Sequence, residues 1–326
     1  MTLLVYKHWH SALDADACIS VDGTAPGRLN LSHWPGNRTP ERFRHDLSTG
    51  MCLRLAGAPD RDELLRGISV VTNNHYDTDG VCSAFACIEP ALANVHAHTL
   101  VAAAAAGDFS LFTTPDGVKL DLTLTALTKA DNSPVKTSLF TSDQEARQAQ
   151  YEFALQHLPQ WLANPDTHAD WFAREFWTIQ QHLRLLREEE AEAEIFHALD
   201  LAVVTTAEPL HETAINTATA CDRILTVLVG DNATAKYELR LTTLSWFELQ
   251  SRPFKPRLDW SELASRLNKE APGDGLWQAE DTSDPTPKLA FVDKEGVAAP
   301  NRTQPALVRR VIADFFTKSP HLPAGI

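Results

Sequence analysis

Residues 67–90 read GISVVTNNHYDTDGVCSAFACIEP and concentrate side chains able to do chemistry. His75, Asp77 and Asp79 fall at alternate positions, preceded by Asn73 and Asn74 and followed by Gly80. An imidazole with several carboxylates is a ligand set for Mn²⁺, Mg²⁺, Fe²⁺ or Zn²⁺. In a tight loop all three could converge on one spot, and Gly80 would permit the backbone reversal that tightness needs. The same residue types also suit a plainer role, with Thr78 or Asp79 accepting from the free amides of a helix start.

The elements around this cluster favour the first role. Ile68, Val70 and Val71 form a short apolar run, the pattern of a buried parallel strand. Beyond Gly80, Val81, Ser83, Ala84, Phe85 and Ala86 continue at helix-compatible spacing. A strand that ends in polar residues before a helix places them at the carboxyl edge of a sheet, where open α/β folds bind ligands.

A second polar stretch, 32–49, reads SHWPGNRTPERFRHDLST. Its prolines and Gly36 mark a loop. Its His33, Asn37, Arg38 and Asp46 make it the best source for the other half of a metal site, with His33 and Asp46 as ligands. Asn37, Arg38 and Asn74 are candidate substrate contacts. Asp108 follows Gly107 after an alanine-rich stretch and is a further candidate ligand, or a turn residue.

The 326 residues carry a formal net charge of −14, with 44% hydrophobic and 22% charged side chains. That length suits about two domains. The acidity argues against a general nucleic-acid binder and leaves a small anionic substrate as the expected partner. Five cysteines without CxxC pairing suggest reduced core thiols in a cytoplasmic protein. The opening MTLLVYKHWH turns polar too early for a signal peptide, and no apolar run spans a membrane. Homodimer formation is left open.

The expected fold is α/β. A parallel-sheet metal-binding domain over 1–140 carries the site loops at its strand ends. A helical connector over 141–200 and a smaller α/β substrate-binding domain over 201–326 follow. Strands are expected at 17–21, 29–31, 51–55, 68–71, 201–205, 223–229, 236–243 and 289–292, with weak alternation at 121–126. Helices are expected at 60–65, 91–106, 259–271 and 304–316, and throughout 142–200, where Pro165-Asp166 separates two of them. Glu188, Glu189, Glu190, Glu192 and Glu194 read as a solvated helix face rather than as di-iron carboxylate material.

The apolar strand followed by His75, Asp77, Asp79, Gly80 and Ser83 resembles motif I of the DHH phosphoesterases. These two-domain enzymes hydrolyse phosphoester or phosphoanhydride bonds with divalent metal, usually a Mn²⁺ pair. The resemblance implies His75 and Asp77 on one metal, Asp79 on the other, and Asp108 as the shared aspartate. Tyr237-Glu238-Leu239-Arg240, then 258–264 and Gly273-Asp274-Gly275, are similar to that family's substrate-binding domain. By that analogy Arg240 would contact a substrate anion.

Two departures accompany the likeness. No Asp-His-His triplet follows Asp108, and the glycine-rich loop lacks its histidine. The loop 33–46, or His211, would then supply the missing donors. The expected activity is therefore metal-assisted hydrolysis of a phosphoester or related small anion, with Mn²⁺ first and Fe, Zn or Mg as alternatives. Rival readings are a single Fe or Zn acting on an amide, C–N or C–halogen bond, or a binding protein without catalysis. A Cys82 nucleophile has the least support, because that residue runs into a helix expected to pack inward.

Overall fold

The computed structural model describes residues 3–129 and 133–318. The chain divides into two compact units, Met1–Thr178 with Phe247–Pro253, and Ile179–Trp246 with Phe254–Ile326. The fold is mixed α/β: a parallel four-stranded sheet lies towards the amino terminus, helices fill the middle, and a second sheet with helices follows. The stretch expected as a connector is shared between the two units rather than standing apart.

The first unit contains β1 (Val5–Tyr6), β2 (Cys18–Val21), β3 (Leu29–Leu31), α1 (Ser48–Ala56), α2 (Arg61–Leu64), β4 (Val70–Thr72) and α3 (Thr78–Ile88). It continues with α4 (Pro90–Val95), α5 (Ala97–Phe109), α6 (Pro115–Ala126), α7 (Asp143–Ala163) and the start of α8 (Ala169–Arg187). The strand order is β1-β4-β2-β3, and every pairing is parallel. All four carboxyl ends therefore share one edge. Ile19, Val21, Leu31 and Val71 pack against Val81 and Phe85 of α3, with Leu100 of α5 and Tyr151, Leu158 and Trp161 of α7. Helix α7 is thus part of this core.

The second unit holds β5 (Glu192–Phe196), β6 (Leu201–Thr206), α9 (Glu212–Thr219), β7 (Arg223–Val229), β8 (Ala235–Leu241), α10 (Ser261–Glu270), β9 (Leu276–Ala279), β10 (Lys288–Val292) and α11 (Pro305–Lys318). Its six-stranded sheet runs β5-β6-β7-β8-β10-β9, with only the β6–β7 pair parallel. Trp260, which precedes α10, and Leu263 and Leu267 of α10 pack with Val308, Ile312 and Phe316 of α11 over Leu225, Leu239 and Phe291. Ile215 of α9 joins Ala202, Val204 and Ile224 in a separate small core.

Four expectations are corrected. Residues 51–55 lie in α1, because Met51, Cys52 and Leu55 bury one helical face and a short apolar run carries no period of its own. Residues 121–126 are helical in α6, which Thr114 caps through Oγ1 accepting from Gly117 N at 3.1 Å, with Pro115 in its first turn. Helix α8 stops at Arg187, and Glu192 and Glu194 lie on the strand β5. Asp108 sits inside α5, which ends at Ser110 in the left-handed conformation.

Gly80 is also explained differently. It is helical, and no reversal occurs there. A Cβ at this position would lie 2.4 Å from the Tyr151 hydroxyl and 2.6 Å from Asn73 Nδ2. Gly80→Ala should therefore destabilise the protein by about 1–3 kcal/mol through overpacking, against a helix-propensity gain of about 1 kcal/mol. Urea denaturation measures this, and an unchanged or higher midpoint would contradict it.

Candidate metal centre

The parallel register decides which side chains meet. Asp22 follows β2, His33 follows β3, and His75, Asp77 and Asp79 follow β4, the central pair of strands being β4 and β2. Asp108 reaches the same place from α5. These residues form two sets of closely spaced ligand atoms. One comprises Asp22, His33, Asp79 and Asp108, the other Asp22, His75 and Asp77, with donor atoms inside each set within 4.8 Å of one another.

Asp22 belongs to both sets. Its Oδ1 lies 3.4 Å from His33 Nε2, and its Oδ2 lies 3.3 Å from His75 Nε2. The residue is buried, at a positive φ of 45° that a non-glycine residue rarely adopts. Leu31 O accepts from its amide at 2.9 Å, its carbonyl accepts from Asn73 Nδ2 at 2.7 Å, and Ser48 Oγ donates to Oδ1 at 2.9 Å. Gly23 next to it has φ +147°, and a Cβ there would strike Asn74 Oδ1 at 2.4 Å. The Asp-Gly pair that closes an ordinary-looking strand is thus held at the centre of the site.

The carboxylates after β4 are both caps and candidate ligands. Asp77 Oδ1 accepts from Gly80 N at 2.7 Å and caps α3, while its Oδ2 faces His75 Nε2 at 2.7 Å. Asp79 caps a different helix. Its Oδ2 and Oδ1 accept from Ser48 N at 2.8 Å and Thr49 N at 2.7 Å, the first amides of α1, which has no cap of its own. Both helix starts thereby place positive dipole ends beside the acidic cluster. The cap of α3 is therefore Asp77, not Thr78 or Asp79, and the carboxylates that cap α1 and α3 are also those that line the cluster.

His33 is oriented for ligation. Its Nδ1 lies 2.5 Å from the Asp46 carbonyl oxygen, which can only accept, so Nδ1 carries the hydrogen and Nε2 faces the cluster. Nε2 is 3.1 Å from Asp108 Oδ2 and 3.7 Å from Asp79 Oδ2. Neither His33 Nε2 nor Asp22 Oδ2 has a hydrogen bond of proper geometry, although both are buried. Lone pairs crowded together without directional bonds fit a shared cation better than a closed hydrogen-bond network. A hard or borderline divalent ion suits such oxygen and imidazole donors.

Charge in the cluster is self-consistent. Burial would raise the Asp22 pKa, but the neighbouring His33 and His75 imidazoles outweigh it and hold the carboxyl well below its usual range. Burial would likewise lower both histidines. Asp108 and Asp22 instead lift His33 well above the usual imidazole value, and Asp77 and Asp22 push His75 up to about 11. Burial, and then the charge of Asp22, raises Asp79 to about 6. Burial, and then Asp79, raises Asp108 well above the carboxylate range.

Other expected residues do not enter the cluster. The Asp46 carboxylate is occupied by the amides of Gln250 and Ser251, and the residue serves through its carbonyl instead. Asn37 is consumed by Trp34 O and Thr39 N of its own loop and by Glu248 from far along the chain. Arg38 is exposed and reaches back to Gly27 O at 3.4 Å, towards the amino end of β3. Exposed Asn74 pairs with Thr24. In the second unit His211 caps α9, and Arg240 is buried against Glu212 at 2.9 Å and Asn216 at 2.5 Å.

Residues beyond β1 also reach this edge without having been singled out. Lys7 N donates to Val71 O and Trp9 N to Asn73 O, so 7–9 run alongside the end of β4 and carry His8 to the level of the cluster. His8 N bonds Gln148 Oε1 of α7 at 2.6 Å. Burial, and then the charges of Arg147 and His75, lower the His8 pKa to about 4.

A family profile described as "Family of unknown function (DUF6687)" matches residues 4–319. The chain belongs to that family. No curated protein matches it significantly. The family match covers both units, including the aspartates and histidines of the cluster.

Protons on His33, His75 and Asp108 compete with a cation for the same lone pairs. Raised pKa values favour those protons, so a cation would have to expel them and would bind more tightly as pH rises. Mn²⁺ affinity should climb from about pH 5 to about pH 8, with protons released. Calorimetry in two buffers of different ionisation enthalpy tests this. A pH-independent affinity without proton release would contradict it.

Proposed function

We propose that this chain is a divalent-metal-dependent hydrolase acting on a phosphoester or related small anion, with Mn²⁺ the expected ion. The reading rests chiefly on Asp22, whose two carboxylate oxygens each face a different donor set. One carboxylate shared by two sets is the arrangement that a pair of cations requires. His75 and Asp77 would hold one ion, and His33, Asp79 and Asp108 the other. A bound pair supplies Lewis acidity, which acidifies water and offsets charge growing on the substrate's oxygens.

The chain's own groups have separable tasks. Asp46 O fixes the His33 ring, and the caps on α1 and α3 fix the Asp79 and Asp77 carboxylates. His75 would offer its Nε2 to the ion, and at 24% exposure it stands on the solvent side of the cluster. On the β1 side, half-buried Arg147 of α7, which donates to Gln150 Oε1 at 2.9 Å, would offer its remaining guanidinium donors to an anionic group. The likeness to DHH motif I supports the same chemistry. In this proposal Asp22 and His33 take over from the missing Asp-His-His triplet.

Asp22→Asn should cut Mn²⁺-dependent hydrolysis of bis(p-nitrophenyl) phosphate by about 100-fold or more, because several kcal/mol of charge stabilisation depend on that carboxylate. Arg147→Gln should instead raise KM about tenfold with metal content unchanged, the loss of one charged hydrogen bond. Metal analysis beside turnover checks both. Full activity in Asp22→Asn would refute the proposal, and one Fe or Zn per chain would favour a single-metal enzyme acting on a non-phosphate bond.

A further inference from the structure

The two donor sets differ in access. Asp22, His33 and Asp79 side chains are wholly buried and Asp108 is 6% exposed, whereas His75 and Asp77 are 24% and 33% exposed. Closed sites hold metal for structure, while sites with an open position exchange ligands and meet substrate. What closes the buried set comes from far along the chain.

Phe247–Pro253 lies in the chain between β8 and α10 but belongs to the first unit. The Phe247 ring stacks on the His33 imidazole, with centroids 3.8 Å apart and planes at 18°. It also meets Phe109 edge-on at 6.0 Å and Trp34 at 6.2 Å. Glu248 N donates to His33 O at 2.8 Å. The Glu248 carboxylate accepts from Gly36 N at 2.7 Å and Asn37 Nδ2 at 2.8 Å, tying down the His33 loop. Gln250 and Ser251 amides donate to Asp46 Oδ1 at 2.5 and 2.8 Å, fixing the residue whose carbonyl orients His33.

This strap therefore grips His33 by its ring face, by its backbone, and through Asp46. We propose that Phe247–Pro253 is a positioning strap that makes the Asp22, His33, Asp79 and Asp108 set the retained, slowly exchanging cation site. The His75 and Asp77 side is then the exchanging position that faces substrate. The inference rests on the two-cation reading above. Phe247 and Glu248 act through His33 and touch no reacting group. Groups that orient a metal-binding histidine are typically worth about 10–100-fold in metal affinity.

The test loads protein with Mn²⁺, removes free ion, and follows metal per chain during a chase with excess EDTA. Wild type should lose its metal in two phases, one fast and one slow. His75→Ala should remove the fast phase and keep the slow one. Phe247→Ala should speed the slow phase about 10–100-fold, and Phe247→Tyr, which keeps the stacked ring, should restore it. Glu248→Gln, which leaves the apolar cover in place, should speed it by a smaller factor and serves if Phe247→Ala does not fold. A slow phase unaffected by both Phe247→Ala and Glu248→Gln, or a change in the fast phase alone, would overturn the strap. Wild type that takes up no Mn²⁺ would overturn the two-cation reading itself, whereas two ions leaving together would sink only the strap.

Discussion

Four aspartate side chains and two histidines crowded at one sheet edge set the terms for the rest of the first unit. Like charges at such spacing repel strongly once water is removed. The fold meets this with countercharge already built in. The starts of α1 and α3 turn amides and dipole ends on Asp79 and Asp77, and two imidazoles flank Asp22. The strands need only be three or four residues long, since their work is to end side by side.

From that crowding follows an asymmetry with functional meaning. The half containing His33 lies under aromatic rings and behind a distant segment, while the half containing His75 opens to solvent. In the two-cation proposal, an enclosed ion would hold the shared aspartate in place while an accessible one would engage an incoming anion. The neighbouring β1 extension brings His8 to the same edge, where burial and then the charges of Arg147 and His75 lower its pKa.

Much of this was legible in the amino-acid sequence, for local reasons. An apolar run, three donors at alternate positions and a helix pattern within some twenty residues specify β4, its turn and α3. The Pro- and Gly-marked loop exposed His33 as a candidate because loop polarity is also local. Asp22 was not legible, since Asp-Gly after a strand is ordinary turn chemistry; only the parallel pairing of β2 with β4 makes it central. Asp46 shows a second limit, because residue type cannot say whether a carboxylate or a backbone carbonyl will be used. Arg38 was misplaced because the direction of a long side chain depends on its neighbours. The hold of Phe247 on His33 spans more than two hundred positions and leaves no trace in local pattern. The α1 segment misled because a stretch of five residues, four of them apolar, fits a buried strand and a packed helix equally well.

The central claim is that Asp22 is shared between two cations. Crystals grown with Mn²⁺ and measured at the manganese absorption edge address it without any assumption about substrate. The account predicts two anomalous peaks flanking Asp22, one bounded by His75 and Asp77 and the other by His33, Asp79 and Asp108. A map with no peak at this edge, or with a single peak that Asp22 does not touch, would contradict it.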